Sequence, residues 1–209
     1  MTPEEKAKIV VDFLEKKYGK RVRKKMRSNP FKLLIETMIS QRSREENTRK
    51  VSRKLFSIAK KPENIIALGE KRLAEIIKPA GLHKQKAKNI IKVCEYIKKN
   101  GFPKDRKSLI ELPGVGKKTA DIVLSYGYGK PVIAVDVHVE VCSKRIGLVK
   151  KDSGYEDTKK RLESLVPENK RYLINLGFVN FGREICLTKK PKCEICEIRY
   201  LCDYKKVKV

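Results

Sequence analysis

The feature that most constrains this chain is the recurrence of apolar side chains at helical spacing. Phe31, Leu34, Ile35, Met38 and Ile39 fall at i, i+3, i+4, i+7 and i+8, which places them on one face of a helix. Ala87, Ile90, Ile91, Cys94 and Ile97 nearly repeat that pattern. Shorter stripes run through Ile9, Val10, Phe13 and Leu14, through Val51, Leu55 and Ile58, and through Leu162, Leu165 and Val166. Chain breakers stand between them: Asn29-Pro30, Lys61-Pro62, Pro79-Ala80-Gly81, Gly101-Phe102-Pro103, Gly127-Tyr128-Gly129-Lys130-Pro131, Ser153-Gly154 and Val166-Pro167. Punctuation at this interval predicts an all-α fold of about nine short helices.

One segment reads differently. Val135, Val137, Val139 and Val141 alternate with Asp136, His138 and Glu140, a strand pattern. The competing reading makes Asp136 the N-cap of a helix that buries Val139, Cys142 and Ile146. An isolated strand in a helical chain has nothing to pair with, so the helix is expected.

Charge narrows the partner. The 209 residues contain 51 Lys+Arg against 25 Asp+Glu, a net charge of +26. Self-repulsion of that size is offset by a polyanion, which favours nucleic acid or an anionic surface. Thermophile surfaces raise Glu together with Lys; here the acids do not keep up, so nucleic acid is the better reading. The segment Met1 to Tyr18 is charged and amphipathic, unlike a signal peptide, and no apolar run approaches membrane-spanning length. An intracellular location and no membrane partner are expected. In that compartment six cysteines serve as ligands or core rather than as disulfides.

Cys186, Cys193, Cys196 and Cys202 have the spacing C-x6-C-x2-C-x5-C, which implies one metal centre. Common all-cysteine zinc modules use two C-x2-C knuckles, and this cluster has one. Four cysteines also hold [4Fe–4S] clusters, so spacing alone leaves zinc and iron–sulfur both open. Lys189, Lys190 and Lys192 lie between the first two ligands, on a loop that is either a fixed phosphate-binding surface or an ordinary solvated one. Cys94 and Cys142 read as core.

Leu112-Pro113-Gly114-Val115-Gly116-Lys117-Lys118 lies between a helix-like stretch, Asp105 to Glu111, and the apolar Ala120 to Leu124. A helix–turn–helix of this kind presents backbone N–H groups to an anion, and Gly114 and Gly116 permit a tight turn and a close phosphate. A P-loop would need glycine where Glu111 stands and Ser or Thr where Lys118 stands. A dinucleotide fingerprint would need a third glycine at Thr119.

The hairpin, the Val135-Asp136-Val137-His138 segment and the cysteine cluster, in that order, resemble the endonuclease III family of helix-hairpin-helix DNA glycosylases over about Phe31 to Tyr204. The resemblance implies two helical domains flanking a cleft: a six-helix barrel over residues 21–130, and a terminal domain of residues 1–20 and 131–209 that carries a [4Fe–4S] cluster. It implies a bifunctional DNA glycosylase/AP lyase of base excision repair, removing oxidised pyrimidines and nicking the abasic strand. The partner is then duplex DNA with damaged bases or abasic sites, met by a monomer associated with the nucleoid. Lys118 matches the Schiff-base lysine, and Asp136 the carboxylate that supports the sugar cation and assists proton transfer. A lysine amine ordinarily titrates near about 10.4, so the attack needs neighbouring cations such as Lys117 and partial desolvation.

Gln41 matches a residue that fills the space of the flipped nucleotide, and Leu82 one that wedges into the stack. Ordinary helix-end and loop packing is the alternative for both. The bacterial family typically has Gln-Ala-Thr-Asp; this chain has Gln41-Arg42-Ser43-Arg44, and His83 replaces an aromatic residue. His138 reads equally as structural or functional. The competing classes are a non-catalytic DNA-binding or redox-sensing iron–sulfur protein and a mismatch-specific glycosylase.

Overall fold

Helix starts follow local chemistry closely. In the computed structural model, which describes residues 1–205, α1 (Pro3–Arg23) opens on a capping box between Thr2 and Glu5. In α2 (Pro30–Ser40) the Asn29 side chain accepts from Lys32 N. There follow α3 (Glu45–Ile58), α4 (Pro62–Ile77, interrupted at Gly69) and α5 (His83–Asn100). Proline takes the first position of α1, α2 and α4, where its missing N–H costs nothing. Then come α6 (Arg106–Ile110), α7 (Lys117–Ile122), a π-type turn (Val123–Gly127), α8 (Val137–Ile146), α9 (Tyr155–Leu165) and α10 (Tyr172–Glu184). No strand occurs among the described residues.

The ambiguous segment is helical. Asp136 caps α8, accepting from His138 N at 2.9 Å and Val139 N at 3.0 Å. Val139, Cys142 and Ile146 are buried, as the helical reading requires.

The chain divides into two compact units, Arg27–Tyr128 and a second that joins Met1–Met26 to the segment beginning at Gly129. Because α1 continues unbroken to Arg23, the first change of unit falls beyond residue 20. Residues 206–209 of the terminal span lie outside the described residues. The continuous unit is filled by Leu34, Ile35 and Ile39 of α2, Leu55 of α3, Leu73 and Ile77 of α4, and Ile90 of α5, all wholly buried. Each such side chain contributes about 1.5–3 kcal/mol of burial.

In the terminal unit α1 lies along α10. Phe13 meets Phe181 edge to face at 5.4 Å, and Leu14 packs over Gly177, where a Cβ would come within 3.2 Å of Leu14 Cδ1. Beside them Glu15 receives ion pairs from Lys170 and Arg23. The imidazole of His138 rests on α10 at Gly182, where an added Cβ would lie 2.5 Å from Nδ1.

Candidate functional site

Helices α6 and α7 form a hairpin. Its turn is closed by Val115 N donating to Leu112 O at 3.0 Å. Gly114 has φ +77, and a Cβ there would stand 2.5 Å from Asn89 Nδ2 of α5. Arg106 bridges the two helices, donating from Nε to Asp121 Oδ1 at 2.9 Å and from Nη2 to Oδ2 at 3.2 Å. The Asp121 side chain is wholly buried, so the pairing fixes how the hairpin closes.

Lys117 and Lys118 occupy the first turn of α7, both exposed, with no acidic residue in that turn. Cations at a helix N-terminus oppose the macrodipole by about 0.3–1 kcal/mol each.

Two other turns of the same unit carry candidates. Gln41 follows α2 and donates from Nε2 to Gly114 O at 2.9 Å, so it is tied to the hairpin. Its neighbour Arg42 has φ +50. Leu82 precedes α5 with φ +48 and is 56% exposed. A leucine both strained and uncovered has no packing reason to be there.

Behind these turns lies Lys86, which sequence reasoning passed over. It donates to Ile39 O at 2.7 Å and Ala80 O at 3.0 Å, and burial holds its ammonium below the usual lysine range. Lys86 is in helical register with buried Ile90, Val93 and Ile97, but a lysine stem at such a position equally carries its ammonium out to solvent, so the register alone does not announce its burial.

In the terminal unit, Asp136 is positioned by its own cap, with both cap bonds on Oδ1. The same helix reaches the cysteine cluster at its other end. Arg145 donates to Leu187 O at 2.8 Å and Thr188 O at 2.7 Å, and lies over the Tyr204 ring at 4.7 Å. Cys186, Cys193, Cys196 and Cys202 line one cavity together with apolar Ile146, Phe181, Ile185 and Ile198. Cys142 is buried, as expected of core, but its thiol also donates to Cys186, which is thereby held down while Cys142 is pushed up. Arg145 adds to the lowering at Cys186. Lys189, Lys190 and Lys192 are exposed on the loop that Arg145 holds.

The family model described as HhH-GPD superfamily base excision DNA repair protein matches residues 35–168. Endonuclease III of Thermotoga maritima is 41% identical over 180 residues, covering 85% of this chain and 84% of that protein. This chain belongs to the endonuclease III family. It is a DNA glycosylase of base excision repair, all-α as the family resemblance implies. Two solved structures carry the same fold. A trapped endonuclease III–DNA covalent intermediate matches with a TM-score of 0.89 and 34% identity, over 99% of this chain and 98% of that one. A thermostable thymine-DNA glycosylase matches with a TM-score of 0.88 and 27% identity, over 97% of each. No helix among the described residues is long and apolar enough to cross a membrane. Within this family frame, the residues that sequence reasoning missed are supports: Lys86 under two turns, Asn89 and Asp121 under the hairpin, and Arg145 behind the cysteine loop.

Proposed function

We propose that this glycosylase is bifunctional, excising oxidised pyrimidines from duplex DNA and then cutting the abasic strand. The observation that carries the reading is a lysine at position 118, exposed in the first turn after the hairpin. Its amine attacks C1′ of an everted nucleotide; the glycosidic bond breaks and the base leaves with its electron pair. The base takes up the proton that Nζ gives up; the C1′–O4′ bond then opens, O4′ gaining a proton, and Nζ is left joined to C1′ as an iminium. Loss of a C2′ proton then expels the 3′ phosphate, and water releases the enzyme.

Asp136 supports the sugar while it is cationic and assists the proton transfers, its orientation held by the α8 cap. Gly114, Gly116 and Lys117 meet the backbone phosphates next to the lesion. Gln41 and Leu82 enter the duplex around the vacated position.

Cys186, Cys193, Cys196 and Cys202 would hold a [4Fe–4S] cluster. Their fit is supported by the shared, apolar-walled cavity. Cys186 and Cys193 flank residues 187–192, so ligation at both would fix that loop and the charge of Lys189, Lys190 and Lys192 toward phosphates.

Borohydride trapping tests the reading. The wild-type protein should form a covalent adduct with duplex containing thymine glycol, and Lys118→Ala should form none. A normal adduct yield in Lys118→Ala sinks the assignment. A panel with thymine or uracil opposite guanine, and with 8-oxoguanine, separates this activity from mismatch-specific excision. An abasic duplex left uncut would remove the strand-cutting step, and only the release of no base from any of these substrates as well would make the protein a pure binder. Broad visible absorbance in the purified protein distinguishes iron–sulfur from colourless zinc.

A further inference from the structure

Lys86 is only 5% exposed, and its ammonium spans two separate chain segments. One acceptor, Ile39 O, lies in the last turn of α2; the other, Ala80 O, ends the short turn Lys78–Ala80. Helix-end carbonyls lack an intrahelical N–H, and a cation is the partner favoured there. Gln41 stands two residues beyond Ile39, and Leu82 two residues beyond Ala80. The two arms are equal in length. A non-glycine residue in the left-handed region stands at the far end of each: Leu82 itself on one, and Arg42, one residue past Gln41, on the other. Such backbones persist only where their surroundings fix them.

A hydrocarbon side chain would fill the space under these turns without the desolvation cost of an ammonium. What it would not supply is a bond to each segment at once. The backbone N–H of Lys86 adds a third link, to Leu82 O at 2.9 Å. Gln41 in turn bonds to Gly114 O, so the register set at Lys86 reaches the hairpin.

We propose that Lys86 is a positioning residue which fixes the Gln41 and Leu82 turns as one two-pronged unit for entering duplex DNA around an everted nucleotide. This rests on the reading above, in which those two side chains enter the duplex.

The test uses the holoprotein and two duplexes, one undamaged and one carrying a tetrahydrofuran abasic analogue opposite 2-aminopurine. Lys86→Met should bind undamaged duplex within about twofold of wild type. Its selectivity for the analogue should fall about tenfold, the scale expected when a group is misplaced by a fraction of an ångström. The rise in 2-aminopurine fluorescence should be lost with it. Lys86→Arg keeps the charge and both donors and should restore most of the selectivity. Gln41→Ala and Leu82→Ala serve as references. If both lower selectivity while folded Lys86→Met does not, the positioning role is wrong; if neither reference lowers it, the reading beneath is wrong. Hydrogen exchange on the wild-type protein covers a Lys86→Met that does not fold. Amides of residues 40–43 and 80–83 should slow together on binding the analogue, and independent slowing overturns the proposal.

Discussion

Gly114 and Gly116 stand two residues apart and are glycine for different reasons. At Gly114 the backbone is left-handed and Asn89 occupies the space a Cβ would need. At Gly116, the N-cap of α7, the backbone is extended and nothing lies within 4 Å of a Cβ, so no packing within the described chain requires glycine there, and the close phosphate proposed above would be its reason. Gly114→Ala should therefore lower thermal stability by about 1 kcal/mol or more. Gly116→Ala should cost only the difference between glycine and alanine as an N-cap, less than Gly114→Ala, and lose affinity for duplex DNA, read by parallel melting and binding titrations. Asp136 offers a similar separation. Asparagine caps helices as well as aspartate does, so Asp136→Asn should keep stability within a few tenths of a kcal/mol while excision slows. Asp136→Ala should also lose about 1 kcal/mol of stability. Equal excision rates for Asp136→Asn and wild type would remove the carboxylate from the chemistry.

At the scale of elements, the hairpin depends on the ion pair between α6 and α7. Arg106→Ala takes the bidentate partner from a wholly buried carboxylate and should cost about 3 kcal/mol in a denaturant titration. Removing both groups, as Arg106→Met with Asp121→Leu, should cost less than removing Arg106 alone. The helices themselves were legible because their faces are local. The stripe from Phe31 to Ile39 became α2, and that from Ala87 to Ile97 lies within α5. Residues 135–141 were harder, since alternation and capping make opposite claims; the Asp136 cap and the absence of a pairing strand decide them. Lys86 was illegible in its setting of His83-Lys84-Gln85-Lys86-Ala87-Lys88, where each lysine reads as solvated. What buries it is a carbonyl 47 residues away, and nothing local announces that. The Cys142–Cys186 contact and the hold of Arg145 on residues 187 and 188 are also distant pairings. The cysteine spacing, the hairpin and the aspartate cap could be read from local pattern; the residues that support them could not.

Across the whole molecule, a net charge of +26 makes binding to DNA strongly salt-dependent. Replacing Lys189, Lys190 and Lys192 by alanine should flatten the slope of log K against log salt by about 0.9 for each lysine that neutralises a phosphate. An unchanged slope would return those lysines to the solvated surface. Acid should act on the terminal unit through Glu15, whose carboxyl is held below its ordinary 4.5 first by the hydrogen bond from Lys170 and also by Arg23. The folded value is the lower one, so this stabilisation is complete above about pH 4.5 and fades as pH falls through the folded value. Glu15→Gln should flatten the melting temperature against pH below that point. The joining of Met1–Met26 to the segment from Gly129 has a further consequence, for synthesis. The continuous unit emerges from the ribosome whole and can fold at once, whereas α1 is made early and its partner α10 late. At about 5–20 residues per second, the apolar face of α1 waits roughly ten to thirty seconds for its cover. Once residue 128 has been made, the nascent chain carries a complete unit together with an incomplete one until α10 follows, and Cys186, Cys193, Cys196 and Cys202 come later still.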